Sequence, residues 1–136
     1  MALTPKLSNA AASAKADAVC ALANSGYLRI YDGTQPGTAD DSVTTQNLLA
    51  ELRFGATAFA AAVNGVATAN AITPDSSANY SGTATWFRVL KSNGTDPLWD
   101  GSAGATSGYN LNLDSASIIL GGTVSVTAFT LTASKG

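Results

Sequence analysis

The acidic side chains beside turn-forming residues, Asp32, Asp40, Asp41, Asp96 and Asp100, are the first candidates for chemistry, because clustered carboxylates can offer oxygen ligands to Ca²⁺. Their spacing matches no EF-hand or repeat loop, and an aspartate in a turn ordinarily accepts from nearby backbone N–H groups. A glycosidase would need two carboxylates across a cleft. The only glutamate, Glu51, instead shares a strand face with Arg53, which points to a cross-strand ion pair. The chain has no histidine, so the commonest general base and every Ser-His or Cys-His nucleophile are excluded. The single cysteine, Cys20, cannot form an intrachain disulfide or a thiolate zinc site. With no cationic neighbour to activate it, it reads as a small buried hydrophobe. Gly101-Ser102-Ala103-Gly104 and Gly121-Gly122 lack the order of phosphate-binding loops. No enzyme activity, metal or cofactor is expected.

Three arginines remain. Arg29, Arg53 and Arg88 each lie inside an apolar, strand-like run rather than in a basic tract. They suit pairing with carboxylates, of this chain or of a protein partner. Tyr27, Arg29 and Tyr31 alternate along one strand face, and Tyr and Arg are enriched at the centres of protein interfaces. With Trp86 and Arg88 from another strand, they form the candidate partner surface.

Composition agrees with a protein that is covered rather than one that catalyses. Over 136 residues the hydrophobic fraction is 46%, but charged residues make up only 12%, about half of what a soluble domain usually carries. Ala, Thr, Ser and Gly fill 69 of the 136 positions. Seven basic and nine acidic residues leave a net charge of −2, which gives no electrostatic footprint for nucleic acid or an anionic membrane. No continuous apolar run suggests a signal peptide or a transmembrane helix.

The chain length suits one domain over 1–136, with a helical segment at 1–26 and a β-domain at 27–136. Thr4 and Pro5 resemble a helix start and Asn24-Ser25-Gly26 a stop, and Leu7, Ala11, Ala14, Ala18 and Leu22 fall on one helical stripe, with Cys20 nearly opposite. From Tyr27 onward the period becomes two. Leu28 and Ile30 alternate with Tyr27, Arg29 and Tyr31, and Leu48–Phe54 alternates likewise. Asn64-Gly65, flanked by Thr57–Val63 and Val66–Ile72, is a hairpin signal, since both turn positions need positive φ. The 83–91 run is apolar on both faces, so both need cover, from the helix or from another subunit. Pro97 favours an edge strand, and 100–108 reads as a flexible loop. In the 124–131 run the apolar parity changes, which calls for two buried faces or a bulge near Thr127. The expected fold is mainly β, an antiparallel β-sandwich of about eight strands, jelly-roll-like, with one N-terminal α-helix, and with a β-barrel or a seven-stranded immunoglobulin-like sandwich as the alternatives.

The order Leu28-Arg29-Ile30-Tyr31-Asp32-Gly33-Thr34-Gln35-Pro36, Leu48-Leu49-Ala50-Glu51-Leu52, Gly82-Thr83-Ala84-Thr85-Trp86-Phe87-Arg88, then Leu111-Asn112-Leu113 and Val124-Ser125-Val126-Thr127, resembles a family of small virion structural proteins of tailed bacteriophages. Within that family it is most similar to capsid cement or decoration proteins. The resemblance implies a non-enzymatic particle component on the capsid surface, assembled in the host cytoplasm. It implies binding to a shell of major capsid protein, self-association with a trimer favoured, and no nucleic-acid or membrane partner. It carries no functional residue over. A tail or head-to-tail component is the structural alternative. A carbohydrate-binding β-sandwich, stacking sugar on Trp86, Trp99 or Tyr109, is the alternative of another class.

Overall fold

The computed structural model describes residues 5–105 and 107–135. One helix, α1 (Asn9–Ala21), precedes ten strands: β1 (Tyr27–Tyr31), β2 (Leu48–Phe54), β3 (Val66–Thr68), β4 (Ile72–Thr73), β5 (Gly82–Thr83), β6 (Trp86–Leu90), β7 (Pro97–Ala105), β8 (Leu111–Leu113), β9 (Ser117–Ile118) and β10 (Val126–Thr132). Eight of them form one sheet in the order β3-β10-β8-β7-β6-β1-β2-β4, and β5 pairs with β9 separately. The mainly β class and the single helix are as expected. The sheet, however, is mixed, because β7 and β8 run parallel. It is also one curled layer, a half-barrel, where two packed antiparallel layers were expected.

Chain connectivity enforces the curl. The edge strands β3 and β4 are separated by only Ala69-Asn70-Ala71, so the two edges of the sheet lie within about 15 Å of each other along the chain. Across the seam, Asp75, just past β4, and Val124, two residues before β10, exchange both backbone bonds (3.1 and 2.8 Å), while the Ala69 N–H continues the β3–β10 ladder to the Phe129 carbonyl (2.9 Å). Inside the curl, the Phe129 ring meets those of Phe54, Phe59, Phe87 and Trp99 at centroid distances of 6.2, 5.4, 5.0 and 6.2 Å. Such pairs contribute about 0.5–1.5 kcal/mol each beyond the area they bury. The inward residues of the flanking strands, Leu28, Ile30, Leu52, Val89, Leu111 and Leu113, complete this core.

Two local expectations are met in detail. Asn64 (φ 53°) and Gly65 (φ 82°) form the tight turn, with Val63 and Val66 exchanging both backbone bonds (2.9 and 3.0 Å). The flanking segments are shorter than expected: 66–68 is a strand and Ile72 already begins β4, while Phe59 and Val63 make isolated bridges. In β10 the register shifts between Val126 and Ala128, so Thr127 is the extra residue, and Phe129 and Leu131 turn inward beyond it.

Other expectations are corrected. The 100–108 stretch is not a loop up to Ala105: Pro97–Ala105 is the longest strand and lies inside the sheet, with Pro97 as its first residue, where a missing N–H is tolerated. Its small residues mark close approach instead of flexibility. A Cβ on Gly101 would come within 2.6 Å of the Phe87 ring, and one on Gly104 within 2.3 Å of the Tyr109 ring. The helix starts later than Pro5. Leu7 N–H bonds the Lys135 carbonyl (2.6 Å), which ties the entering chain down, and Ser8 then caps α1 by accepting from Ala11 N–H (3.1 Å). Thr4 lies outside the described residues. The buried stripe is Ala12, Ala16, Cys20 and Ala23, the side opposite the one expected, and Leu7 and Leu22 face solvent. An alanine helix is apolar all round, so its pattern cannot choose a face. Polar clasps choose it here: Ser13 Oγ accepts from Gly65 N–H (3.0 Å) and Asp17 Oδ1 from Ala62 N–H (2.8 Å). The helix thereby packs on β3 and β10, not on β6.

Gly65 combines positive φ with proximity, since a Cβ there would lie 3.0 Å from the Ala12 Cβ. Gly65→Val is therefore expected to destabilise the protein by more than about 1 kcal/mol, read as a lowered urea midpoint. An unchanged midpoint would show that the turn and helix adapt without cost.

Candidate functional site

The five candidate interface residues do come together. β1 and β6 pair antiparallel with Arg29 opposite Arg88, Tyr31 opposite Trp86 and Tyr27 opposite Leu90. Period-two alternation then puts Tyr27, Arg29, Tyr31, Trp86 and Arg88 on one face, the outer one, because their neighbours Leu28, Ile30, Phe87 and Val89 fill the core. Glu51 and Arg53 of β2 extend the same face, opposite Arg29 and Tyr27.

The face divides into a covered part and an open part. Trp86, Tyr31 and Arg88 are 1%, 6% and 5% exposed. Their cover is neither the helix nor another subunit, as expected above, but the chain's own 32–47 segment. Trp86 Nε1 donates to the Asp32 carbonyl (2.9 Å), Thr85 Oγ1 to the Gly33 carbonyl (2.6 Å), and Arg88 Nη2 reaches the Thr38 carbonyl at 3.5 Å. The ends of this segment are clasped: Asp32 accepts from both the backbone and the side-chain amide of Asn47 (2.6 and 3.0 Å). It is a compact Ω-loop, self-packed with its ends together. Beneath it Tyr31 and Trp86 stack at 4.5 Å with their planes 14° apart. Burial holds the Tyr31 hydroxyl pKa above its ordinary value.

Arg88 forms a two-pronged pair with Asp100, from Nε to Oδ1 at 2.7 Å and from Nη2 to Oδ2 at 2.9 Å. Both side chains are buried, at 7% and 3% exposure. The hydrogen bond to Asp100 holds the Arg88 proton more tightly than usual, against the opposing effect of burial. On the open part, Arg29 pairs with Glu51 (2.7 Å), and Arg53 lies 4.0 Å above the Tyr27 ring while donating to the Ser25 carbonyl (3.0 Å). Glu51 thus makes the expected cross-strand pair, with Arg29 as its partner. Every arginine already has one within the chain.

The remaining candidates are structural. Among the described residues no three His, Cys, Asp or Glu side chains come together. Asp32 caps its loop, Asp41 Oδ2 accepts from Thr38 N–H (3.1 Å), and Asp75 accepts from Ser77 and Glu51 N–H groups (both 2.9 Å). Trp99 is half-buried, with its ring against Phe59 and Phe129, so it offers no free stacking platform; Trp86 is under the loop, and Tyr109 rests over Gly104. Cys20 is buried, and burial, with Asp17 nearby, pushes its pKa up to about 11.

One surface was not singled out by sequence reasoning. Ile119 and Leu120 are 70% and 63% exposed, and Tyr80 is 52% exposed. They sit on a rigid turn: Leu120 N–H donates to Ser81 Oγ (2.8 Å), Gly121 N–H to the Ala78 carbonyl (2.9 Å) and Gly122 N–H to the Ile119 carbonyl (2.8 Å), with Gly121 at φ 81°. Only the apolar run Ile118-Ile119-Leu120 before Gly121-Gly122 signals it, and that run reads equally well as a buried strand.

Removing one member of the buried pair, as in Arg88→Ala, should cost about 3–5 kcal/mol, while Arg88→Met with Asp100→Leu recovers most of that loss. Urea denaturation of the three proteins checks it; equal stability of single and double variants would refute it. Because its pKa is raised, Cys20 should stay a thiol at neutral pH and through its ordinary titration range. Alkylation of the folded protein should accelerate only as pH nears 11, with the unfolded protein reacting at lower pH.

A scan against protein-family models and searches of curated proteins and of solved structures find no match to this chain.

Proposed function

We propose that this protein is a non-enzymatic structural subunit of a tailed-phage particle: a capsid cement or decoration protein that binds a shell of major capsid protein and associates with copies of itself, as a trimer. The observation that carries this reading is the pinned apolar turn, where Ile119, Leu120 and Tyr80 present side chains to solvent on a chain with so few charges. Large apolar side chains left exposed suit an interaction site, and a turn fixed by hydrogen bonds loses little entropy when it docks. The resemblance of the strand motifs to phage virion proteins supplies the kind of partner. Tyr27 and Arg29, the open part of the outer face, form a second contact, and Trp86, Tyr31 and Arg88 keep that strand face rigid from beneath the Ω-loop.

Attachment then rests on burial more than on charge, since each arginine is already engaged within the chain. Co-sedimentation with shells of the major capsid protein should show binding in many copies that persists in moderate salt. Ile119→Ser with Leu120→Ser should leave the fold intact and lower occupancy. Failure of the wild-type protein to bind any such shell would overturn the reading, and full occupancy by the double variant would move the contact to Tyr27 and Arg29.

A further inference from the structure

The chain contains two Asn-Gly pairs, Asn64-Gly65 and Asn93-Gly94, each in a tight turn. In such a pair the glycine nitrogen, with no side chain to obstruct it, can attack the preceding carboxamide carbon. The N–Cγ bond forms, the carboxamide nitrogen leaves as ammonia, and a succinimide results. Water then opens the ring at either carbonyl, leaving aspartate or isoaspartate. Asparagine is a thermolabile residue for this reason.

The two sites differ in what holds the carboxamide. Asn93 Oδ1 accepts from Thr95 N–H (3.0 Å) and Asp96 N–H (3.1 Å), and Nδ2 donates to Asp96 Oδ2 (2.9 Å), so the side chain is fixed in place as part of the turn. The Asn64 carboxamide, on an exposed residue at the hairpin tip, makes no hydrogen bond among the described residues. Its one restraint is on the attacking nitrogen, since Gly65 N–H donates to Ser13 Oγ at 3.0 Å.

We propose that Asn64 is the chain's site of spontaneous deamidation, and that its isoaspartate product loosens α1 from the sheet. Isoaspartate adds a methylene to the backbone of a two-residue turn whose geometry is fixed by the Val63–Val66 bonds. The Gly65 N–H that reaches Ser13, and the neighbouring Ala62 N–H that reaches Asp17, are then displaced from the helix they clasp.

The test is incubation of the full-length protein in mildly alkaline buffer, folded and in urea, with peptide mapping by mass spectrometry and enzymatic detection of isoaspartate. In the folded protein Asn64 should convert several-fold faster than Asn93, while in urea the two rates should converge. Ser13→Ala, which releases the attacking nitrogen, should accelerate conversion at Asn64 and leave Asn93 unchanged. The isoaspartate form should melt at a lower temperature than fresh protein and be cleaved faster by protease near α1. Equal or faster conversion of Asn93 in the folded chain, or a rate ratio that survives in urea, would overturn the assignment. An isoaspartate form with unaltered melting and proteolysis would overturn its consequence.

Discussion

Phe129 joins the two requirements of this fold, a filled interior and a curled wall that keeps its edge strand. Its ring is the common neighbour of Phe54, Phe59, Phe87 and Trp99, and its carbonyl takes the Ala69 N–H, extending the ladder between β10 and the edge strand β3. A strand can place its side chain inward and its backbone on the edge strand only if its register is right. The extra residue at Thr127 sets that register: the bulge turns Phe129 and Leu131 inward, while the Thr127 hydroxyl donates to the Asn112 carbonyl (3.1 Å) and holds β10 against β8. The curl that results leaves a central strand, β6, with one face on the aromatic cluster and the other pointing outward.

That outer face explains the Ω-loop. All five residues of β6 are buried, and a Trp and an Arg on its outer side could not be left in water without cost. The 32–47 segment supplies the cover, and the polar groups it buries are met one by one: the indole N–H by Asp32, the guanidinium by Asp100 and Thr38. No buried side-chain nitrogen or oxygen among the described residues is left without a partner. The ion pair also fixes a face. Swapping Arg88 and Asp100 for apolar residues would retain burial but remove the two-pronged geometry that aligns β6 with β7.

What could be read from the sequence was whatever local physics decides alone. The two apolar faces of 83–91, the Asn-Gly turn and the change of parity at Thr127 follow from strand period and positive φ, and each is found in place. That Tyr27, Arg29 and Tyr31 share one side, and Trp86 and Arg88 another strand's side, was legible for the same reason, whereas their meeting on one face depends on the pairing of β1 with β6. What covers three of them was not legible, since it is a loop whose polar sequence says nothing of what it lies against. β7 was missed because Gly101 and Gly104 are small to admit the Phe87 and Tyr109 rings, a tertiary cause that imitates loop composition. The helix face was missed because alanine on every side leaves the choice to Ser13 and Asp17, whose partners lie about fifty residues away. The parallel pairing of β7 with β8 has no local signature at all.

Scarce charge constrains how such a protein can recognise anything. Seven basic and nine acidic residues would suffice for a patch if they were grouped and free, but the arginines are spent within the fold: Arg29 on Glu51, Arg88 on Asp100, Arg53 on the Tyr27 ring. The aspartates mostly accept from backbone N–H groups. Long-range steering is therefore weak, and encounter with a partner is slow by the standard of charged pairs. What such a surface can provide is slow release, because preorganised apolar groups such as Ile119 and Leu120, once buried, are held by a force that salt does not screen. For the proposed role, a subunit that joins its partner once and then stays has little need of fast association, and slow capture with slow loss would suit such permanent assembly better than reversible ligand exchange.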